Sequence, residues 1–520
     1  MATIKALIVG VSDYSQMEMS NLPFCIQDIK LITSAFETGL KVESKDIIVC
    51  GDSGSVSHEE LMLSLQKLSD TVAEDDTLLF YFSGHGGTKI NHHYIALSDD
   101  YLGTEELILH LEEIPAKNKV IFLDCCMAGN FTVDNPPVFY ANETADKFAG
   151  KGYAVFASSN AEQVSYRHST LPISLFTKFL SEAITSPHMI REGKKSLHDI
   201  KKLLFMFLEI WNKNNLEHIQ NPVYRASIGG TIYFQVQDYH PYVAEKIFLE
   251  RDEYIISSVE PSHVSGAKRF SVDIILKEAF SLHEISILNK QIIEEVKYLE
   301  VYGNSLQEQR WRGQPANLIF CYFGLDEIDI LNRNFICLTT WADETQDREW
   351  WYRKNRNCEI INDIHFKVPP YYESMKAFNQ ENTDCAEKLV LKTRPIITDM
   401  VTLAEEIILE YNEFINGTLK KQELLEFMTG IIPQVNKLYF AEGNLSISPP
   451  ELAEWSQCCR ELSVDIHNLT LYYNPQFMSQ RSPENRRQCM DMTIKQYYAS
   501  LENLKDEDAK LDIASMKEDA

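Results

Sequence analysis

Two short stretches of the sequence place side chains suited to nucleophilic chemistry at the ends of apolar runs. Residues 78–87 read LLFYFSGHGG, and residues 119–130 read KVIFLDCCMAGN. The first run ends at His85, and the second ends at a cysteine doublet whose second member is Cys126. A free thiol is only slightly ionised at neutral pH, and a positioned imidazole both raises that fraction and can protonate a leaving amine. His85 and Cys126 are therefore candidates for a catalytic dyad.

The elements that would position this pair belong to an α/β domain. Residues 1–236 alternate short apolar runs with amphipathic stretches, which is typical of a mostly parallel sheet flanked by helices. The carboxyl ends of parallel strands meet at one edge of a sheet, so His85 and Cys126 would lie over the same crevice. Strands are predicted at residues 4–11, 46–50, 77–83, 93–98, 119–125, 153–159 and 231–236, and helices at 25–38, 57–72, 172–185 and 196–214.

The backbone around the candidate dyad could also contribute to catalysis. The glycines that flank His85 would let the main chain approach a substrate carbonyl closely. The amides of Gly86 and Cys126 are then natural donors to the oxyanion that forms during acyl transfer. The dyad alone does not determine which kind of acyl bond is cleaved, so hydrolysis of a non-peptide acyl bond remains an alternative.

These motifs resemble those of the caspase-like clan of cysteine peptidases (peptidase C14 type), and in particular its metacaspase-like branch. In that branch the histidine sits in SGHG, and the nucleophile is the third residue of a D-C-C or D-S-C triplet that precedes a small residue and glycine; here the sequence reads SGHGG and DCCMAG. The resemblance covers about residues 1–236 and implies that His85 and Cys126 form the dyad. Because side chains alternate along a strand, Cys125 is assigned to the core. Met127 departs from the histidine that many metacaspases carry there.

The same resemblance implies which substrate side chain precedes the scissile bond. The metacaspase pocket is lined by a C-x-x-D pair on the first helix, by the serine two residues before the histidine, and by the aspartate two residues before the nucleophile. The matching residues here are Cys25, Asp28, Ser83 and Asp124. Two carboxylates in a narrow pocket would pair with arginine or lysine and would repel aspartate. We therefore expect cleavage after Arg or Lys and not after Asp.

The remainder of the chain changes character. Residues 237–372 mix β-rich stretches with a possible helix and are predicted to form an α+β domain, whereas residues 373–520 are predicted to form a mainly helical domain with a frayed, charged tail. The polar loop at 130–150 could be a flap or an autocleavage segment, with Lys147 and Lys151 as candidate sites.

Composition excludes several classes of function. The chain has 520 residues and a formal net charge of −27, which argues against direct attraction to nucleic acid or to an anionic membrane. The cysteines lack the spacing of a disulfide framework and no signal peptide is evident, so a cytoplasmic location is expected. No metal or other cofactor is expected. Asp99 and Asp100 could bind calcium, but a solvated loop is favoured because no compact set of about six oxygen ligands accompanies them.

Together these features predict a cysteine endopeptidase that acts on a protein substrate. Residues 237–520 would regulate it by binding a partner protein or ligand. A compact caspase-like protease joined to other domains resembles components of prokaryotic (antiviral) defence and regulated cell death, which is an expectation from architecture alone. The competing hypothesis is a catalytically silent scaffold or adaptor that keeps the fold and recruits partners.

Overall fold

The structure is a computed structural model that describes residues 3–89, 92–127, 154–158, 165–226, 230–237 and 247–518. It divides into two compact units. The first unit comprises Met1–Asp326 together with Phe335–Pro370, and the second comprises Glu327–Asn334 together with Tyr371–Ala520.

The first unit begins with a mostly parallel sheet in the strand order β2-β1-β3-β6-β7-β9. Its central pairings are parallel, and β9 closes the sheet antiparallel to β7. The strands β4 and β5 extend antiparallel from the far end of β3. The bounds are β1 (Ile4–Gly10), β2 (Ile47–Cys50), β3 (Thr77–Lys89), β4 (His92–Ala96), β5 (Tyr101–Gly103), β6 (Asn118–Met127), β7 (Ala154–Ala157) and β9 (Val223–Ala226).

Helices flank this sheet because their apolar residues recur every three or four positions and are buried against it. The five described helices are α1 (Cys25–Gly39), α2 (His58–Thr71), α3 (Thr104–Glu113), α4 (Leu175–Thr185) and α5 (Leu197–Asn214). Only α3 was not predicted, although its buried Leu107, Ile108 and Leu111 have helical spacing.

The structure differs from the predicted strands in two places, of which the first concerns the residues of the site. Strands β3 and β6 continue beyond their apolar runs through SGHGG and DCCM, because the two segments remain paired with each other. The stretch predicted as a strand at 231–236 forms β10 (Tyr233–Gln235), which pairs with β8 (Lys194–Ser196) in a separate two-stranded sheet.

A second sheet completes the first unit, with the strand order β11-β12-β13-β14-β15-β17-β16. It is antiparallel except between β13 and β14. Between β14 and β15 the chain forms helix α8, which belongs to the second unit. The elements are β11 (Leu249–Glu250), β12 (Tyr254–Pro261), β13 (Arg269–Leu276), α6 (Leu282–Val296), α7 (Ser305–Trp311), β14 (Leu318–Gly324), α8 (Glu327–Leu331), β15 (Cys337–Ala342), α9 (Arg348–Trp351), β16 (Cys358–Ile361) and β17 (Ile364–Lys367).

Ion pairs join the two sheet regions of the first unit. Glu278, which follows β13, accepts from both Arg191 and Lys202 at 2.8 Å, and Lys213 at the end of α5 donates to Glu359 in β16 at 2.7 Å. These contacts connect residues 247–326 and 335–370 to the first sheet region.

The second unit is helical around an apolar core that includes Met400, Leu462 and Tyr497. Its helices are α10 (Tyr372–Asn382), α11 (Ala386–Ile415), α12 (Lys421–Gly443), α13 (Ala453–Leu469) and α14 (Pro483–Glu518), besides α8. Helix α11 runs through Pro395, because packing of its apolar face outweighs the loss of one backbone hydrogen bond. Helix α14 extends to Glu518, where a frayed tail was predicted.

The order of an α/β domain, an α+β region and a helical region confirms the predicted sequence of fold classes. No helix within the described ranges is both long and apolar enough to cross a membrane.

One buried lysine fixes the carboxyl end of α4. The Lys195 ammonium is fully buried and donates to the carbonyls of Ala183 at 2.7 Å and Ile184 at 2.9 Å, and also to the carbonyl of Ser186. These are groups that a helix leaves without partners at its end. Burial lowers the pKa of Lys195 to about 7.

We expect Lys195→Met to destabilise the first unit, because the side chain keeps its length but three helix-end carbonyls lose their donor. The free energy of unfolding should fall by about 2 kcal/mol, the usual cost of leaving buried polar groups unpaired. Urea titration followed by circular dichroism measures it. The exposed neighbour Lys194→Met is the control, and an equal loss in both variants would contradict this role.

Candidate active site

His85 is held in a defined orientation near the end of β3. Its imidazole is buried, and its Nε2 lies 2.8 Å from the carbonyl oxygen of Ser20. Since a carbonyl oxygen can only accept, Nε2 carries the proton and Nδ1 of the neutral ring is left as the acceptor. Nδ1 has no hydrogen-bond partner among the described residues. Burial lowers the pKa of His85, which favours the neutral ring.

Tyr14 contacts both the ring and the backbone of the same histidine. Its ring centroid lies 4.6 Å from that of His85, and its hydroxyl accepts the His85 backbone N–H at 2.7 Å. This contact explains the glycine in the S-G-H sequence. A Cβ at Gly84 would lie 2.5 Å from the Tyr14 hydroxyl and would also collide with Phe82. The small residue therefore lets the tyrosine reach the backbone of β3.

The sheet register brings the two predicted catalytic positions together. Strands β3 and β6 pair in parallel, with Ser83 opposite Asp124 and His85 opposite Cys126. The Cys126 side chain lies outside what the structure describes, so the observed proximity is that of the backbones. Cys125 is buried in the apolar core.

The predicted oxyanion donors occupy the same strand ends. Gly86 pairs with Met127 in β6 on one side and with Ile95 in β4 on the other. The amides of Gly86 and Cys126 thus lie on adjacent strands, one residue apart in register. Their role as donors remains a prediction.

Asp28 on α1 is fully buried and hydrogen-bonded on both oxygens. Its Oδ2 accepts the hydroxyls of Ser83 at 2.8 Å and of Ser174 at 2.5 Å, and its Oδ1 accepts the backbone N–H of Ser174 at 2.8 Å. The bond from Ser83 joins the first helix directly to the strand that carries His85.

Asp124 on β6 is bound in a similar way. Its Oδ1 accepts the Ser165 hydroxyl at 2.9 Å, and its Oδ2 accepts both the hydroxyl and the backbone N–H of Thr177, at 2.6 and 3.2 Å. The Tyr81 hydroxyl hydrogen-bonds to Thr177 in turn. The side chain of Asp124 is 1% exposed.

Both carboxylates are thus bound by the first turn of α4, where Ser174 precedes the helix and Thr177 is its third residue. A helix N-terminus carries unpaired N–H groups and a partial positive charge, so it stabilises anions. No lysine or arginine within the described ranges forms an ion pair with Asp28 or Asp124. Burial and then repulsion from Asp124 raise the pKa of Asp28 to about 7, and burial also raises the pKa of Asp124.

The predicted pocket residues lie together. Cys25 is fully buried one helical turn before Asp28, Ser83 contacts Asp28 directly, and Asp124 is close enough to act on the charge of Asp28. The arrangement is a buried acidic site beside the predicted dyad. Chemically, it can accept a cation that replaces the missing counter-charge.

Several residues of the site were not predicted. The carbonyl of Ser20 gives no sequence signal because any residue could supply it. The hydroxyls of Ser165, Ser174 and Thr177 are ordinary polar residues in sequence, although Ser174 before an apolar run is a typical helix start. A closer reading of that start could have placed a helix N-terminus near the carboxylates.

Other predicted positions contribute nothing to this site. Lys147 and Lys151 lie outside the described residues. Asp99 accepts the backbone N–H of His58 at 2.8 Å, and Asp100 accepts that of Tyr101 at 2.8 Å. In the described part of the chain no group of three or more metal-ligating side chains could hold a metal ion.

The comparison with known families decides what this domain is. The family model described as "Caspase domain" matches residues 3–227. These residues form a caspase-like peptidase domain. The match covers the α/β sheet, its helices, and both His85 and Cys126, so the predicted caspase-like fold is confirmed for this part of the chain.

Solved caspases are also similar to the chain. Caspase-1 from Spodoptera frugiperda is 15% identical, with a TM-score of 0.33, and the alignment covers 46% of this chain and 92% of that one. The structure of pro-sf-caspase-1 is 14% identical, with a TM-score of 0.31 and coverage of 44% and 92%. No curated protein matches the chain.

The raised pKa of Asp28 predicts how stability depends on pH. Because the pKa in the folded state, about 7, exceeds the ordinary value of 3.8, the folded state holds a proton that the unfolded state has released. Stability should therefore fall as the pH rises from about 4 to about 7. Asp28→Asn should lose much of this dependence.

Thermal unfolding at about pH 5 and about pH 8 tests this point. The comparison variant is Asp52→Asn, which removes an exposed carboxylate from the same domain. A wild-type chain whose melting temperature changes between the two pH values by no more than that of Asp28→Asn would contradict the prediction.

Proposed function

We propose that the caspase-like domain is a cysteine endopeptidase that cleaves proteins after arginine or lysine. The observation that carries this proposal is the pair of buried carboxylates, Asp28 and Asp124, which has no basic partner within the described ranges and lies beside the predicted dyad. An arginine or lysine side chain of a substrate would supply the missing positive charge. A caspase-type domain fits this role because its family consists of cysteine peptidases.

In this proposal His85 activates Cys126. Nδ1, the free acceptor of the imidazole, takes the thiol proton while Sγ of Cys126 attacks the carbonyl carbon of the scissile bond. The Ser20 carbonyl keeps the ring oriented and stabilises the imidazolium through Nε2. The amides of Gly86 and Cys126 would donate to the oxyanion of the tetrahedral intermediate.

The second half of the reaction reverses the proton transfer. The imidazolium gives its proton to the leaving amine, which departs and leaves a thioester on Cys126. Water then attacks the thioester carbon, His85 takes a proton from that water, and the thiolate leaves and is reprotonated. The products are a new carboxyl terminus at the basic residue and a new amino terminus.

In this proposal, the charge of the two carboxylates determines which substrate side chain the pocket binds. A guanidinium group offers a planar fork of donors that matches a pair of carboxylates, and a lysine ammonium offers a point charge. Ser83 and Ser174 already donate to Asp28, so they fix the carboxylate in place before the substrate arrives. A substrate aspartate would meet two like charges and be excluded.

We propose further that residues 237–520 regulate the peptidase by binding a partner protein or ligand. Two observations support this proposal. The caspase-like domain occupies less than half of the chain, and ion pairs such as Lys202–Glu278 join it to the following sheet. A role in prokaryotic antiviral defence or regulated cell death and a cytoplasmic location remain proposals from the architecture and composition of the sequence.

The first test of this function is the nucleophile. Cys126→Ala should abolish cleavage of peptides with Arg or Lys before the scissile bond, because no thiol would remain to attack the carbonyl. We expect a fall in kcat/KM of at least about 10³-fold. Peptides with Asp at the same place should not be cleaved by either form.

Cys125→Ala is the matched control because it removes the neighbouring thiol, which lies in the core. It should retain activity if folded, as checked by circular dichroism. Full activity in Cys126→Ala, or no cleavage by the natural chain of any basic peptide in a panel, would overturn the proposed activity and favour the scaffold.

The second test is the pH dependence of substrate binding. Asp28 is protonated below about pH 7, so a basic side chain must displace that proton in order to bind. KM for an arginine peptide should therefore fall by up to about tenfold per pH unit as the pH rises towards 7. Asp28→Asn should raise KM and flatten this profile.

A substrate whose basic side chain is replaced by neutral citrulline separates binding from catalysis. Its KM should be high and nearly independent of pH. An arginine peptide with the same pH profile of KM in the natural chain and in Asp28→Asn would contradict the acidic pocket, even if cleavage itself requires Cys126.

A further inference from the structure

The helical unit contains a cavity of about 810 Å³, which is the size of many small-molecule sites. Its walls come from distant parts of the sequence: helix α8, the first half of α11, the end of α12 with the segment after it, the start of α13, and α14. All of these elements belong to the second unit, so the cavity is formed within it.

The charges of the wall are mainly negative. Three glutamates, Glu442, Glu454 and Glu507, line the cavity together with one basic residue, Arg460. Glu507 is already paired with Lys510 at 2.6 Å. Arg460 donates to Gln457 at 3.1 Å.

Glu442 is the half-buried acid of the wall that lacks a close partner in the described part of the chain, whereas Glu454 is exposed. Its half-buried carboxylate makes no hydrogen bond or ion pair with another described residue and is attracted to Arg460 only over a longer distance. Burial raises the pKa of Glu442, and the Arg460 guanidinium offsets this only in part. A cation in the cavity would relieve this cost.

A buried hydroxyl in the same wall also lacks a partner. Ser456, near the start of α13, is only 7% exposed and its Oγ makes no hydrogen bond in the described part of the chain. Buried hydroxyls are nearly always hydrogen-bonded, because an unpaired one costs free energy. A polar group of a ligand would satisfy it, independently of the glutamates.

Apolar side chains also line the cavity, and two of them are incompletely covered. Ile328 and Leu331 of α8 line the cavity while 43% and 48% exposed, and Leu389 of α11 lies in the same lining. Exposed branched side chains on a concave surface gain free energy when a ligand covers them.

We propose that this cavity binds a small organic cation that carries an apolar group. The ammonium or guanidinium pairs with Glu442, a polar atom reaches Ser456, and the apolar group covers Ile328 and Leu331. In sequence, α8 lies between β14 and β15. This site is distinct from the acidic pocket of the peptidase domain and does not depend on catalysis.

A series of probes that share one apolar group and differ in charge tests this inference in the full chain. The probes are 4-phenylbutylamine as the cation, 4-phenylbutyrate as the anion and 4-phenylbutanol as the neutral analogue, followed by calorimetric titration and ligand-observed NMR. We expect the amine to bind with a Kd on the order of 1 mM or tighter and the anion to bind at least about tenfold more weakly.

Single substitutions test whether the amine binds in this cavity. Glu442→Gln should weaken binding of the amine at least about fivefold, and Ile328→Ser should weaken it by a similar factor through loss of apolar contact. Glu406→Gln, which removes an exposed charge from α11 outside the cavity, is the control and should have no effect. Asp28→Asn should leave the Glu442-dependent part of the binding unchanged.

Three outcomes would overturn the inference. They are no saturable binding of the amine up to about 10 mM, equal binding of amine and carboxylate, and loss of binding in Asp28→Asn but not in Glu442→Gln. The last result would place the amine in the peptidase domain. A failure of peptide cleavage after Arg or Lys would leave this binding result unchanged, so the two proposals are tested separately.

Discussion

Two carboxyl groups buried around one helix terminus are the constraint on which the peptidase domain depends. Asp28 comes from the first helix and Asp124 from a central strand, and both are bound by the first turn of α4. Each carboxylate would be costly to bury alone. The hydroxyls and amides that surround them offset this cost only in part, so burial still raises the pKa of both groups.

The same interactions position the rest of the candidate site. Ser83 binds Asp28 and lies two residues before His85 on β3, while Asp124 lies two residues before Cys126 on β6. Since alternate residues of a strand share a face, the parallel register sets the spacing between the acidic pair and the dyad positions. One sheet and one helix thereby position both the buried acidic pair and the predicted dyad.

The acidic residues of the two units differ in how fully they are hydrogen-bonded. In the peptidase domain every carboxylate oxygen of Asp28 and Asp124 has a hydrogen-bond donor. In the helical unit, no described residue donates a hydrogen bond to the half-buried Glu442 carboxylate, and none pairs with the Ser456 hydroxyl in the same cavity wall. Within the described residues, the acidic pair is thus hydrogen-bonded on every oxygen, whereas the cavity leaves one lining hydroxyl unpaired.

The sequence by itself determined the α/β class of the first domain, most of its strands and helices, and the residues proposed for its pocket and dyad. It could do so because apolar periodicity and the motifs SGHGG and DCCMAG are local properties of the chain. Only the tertiary structure decided that Ser20 orients His85, that the amino end of α4 binds both carboxylates, and that α11 continues through Pro395. These features depend on backbone atoms and packing between segments that are far apart in sequence, and neither has a signature in residue types alone.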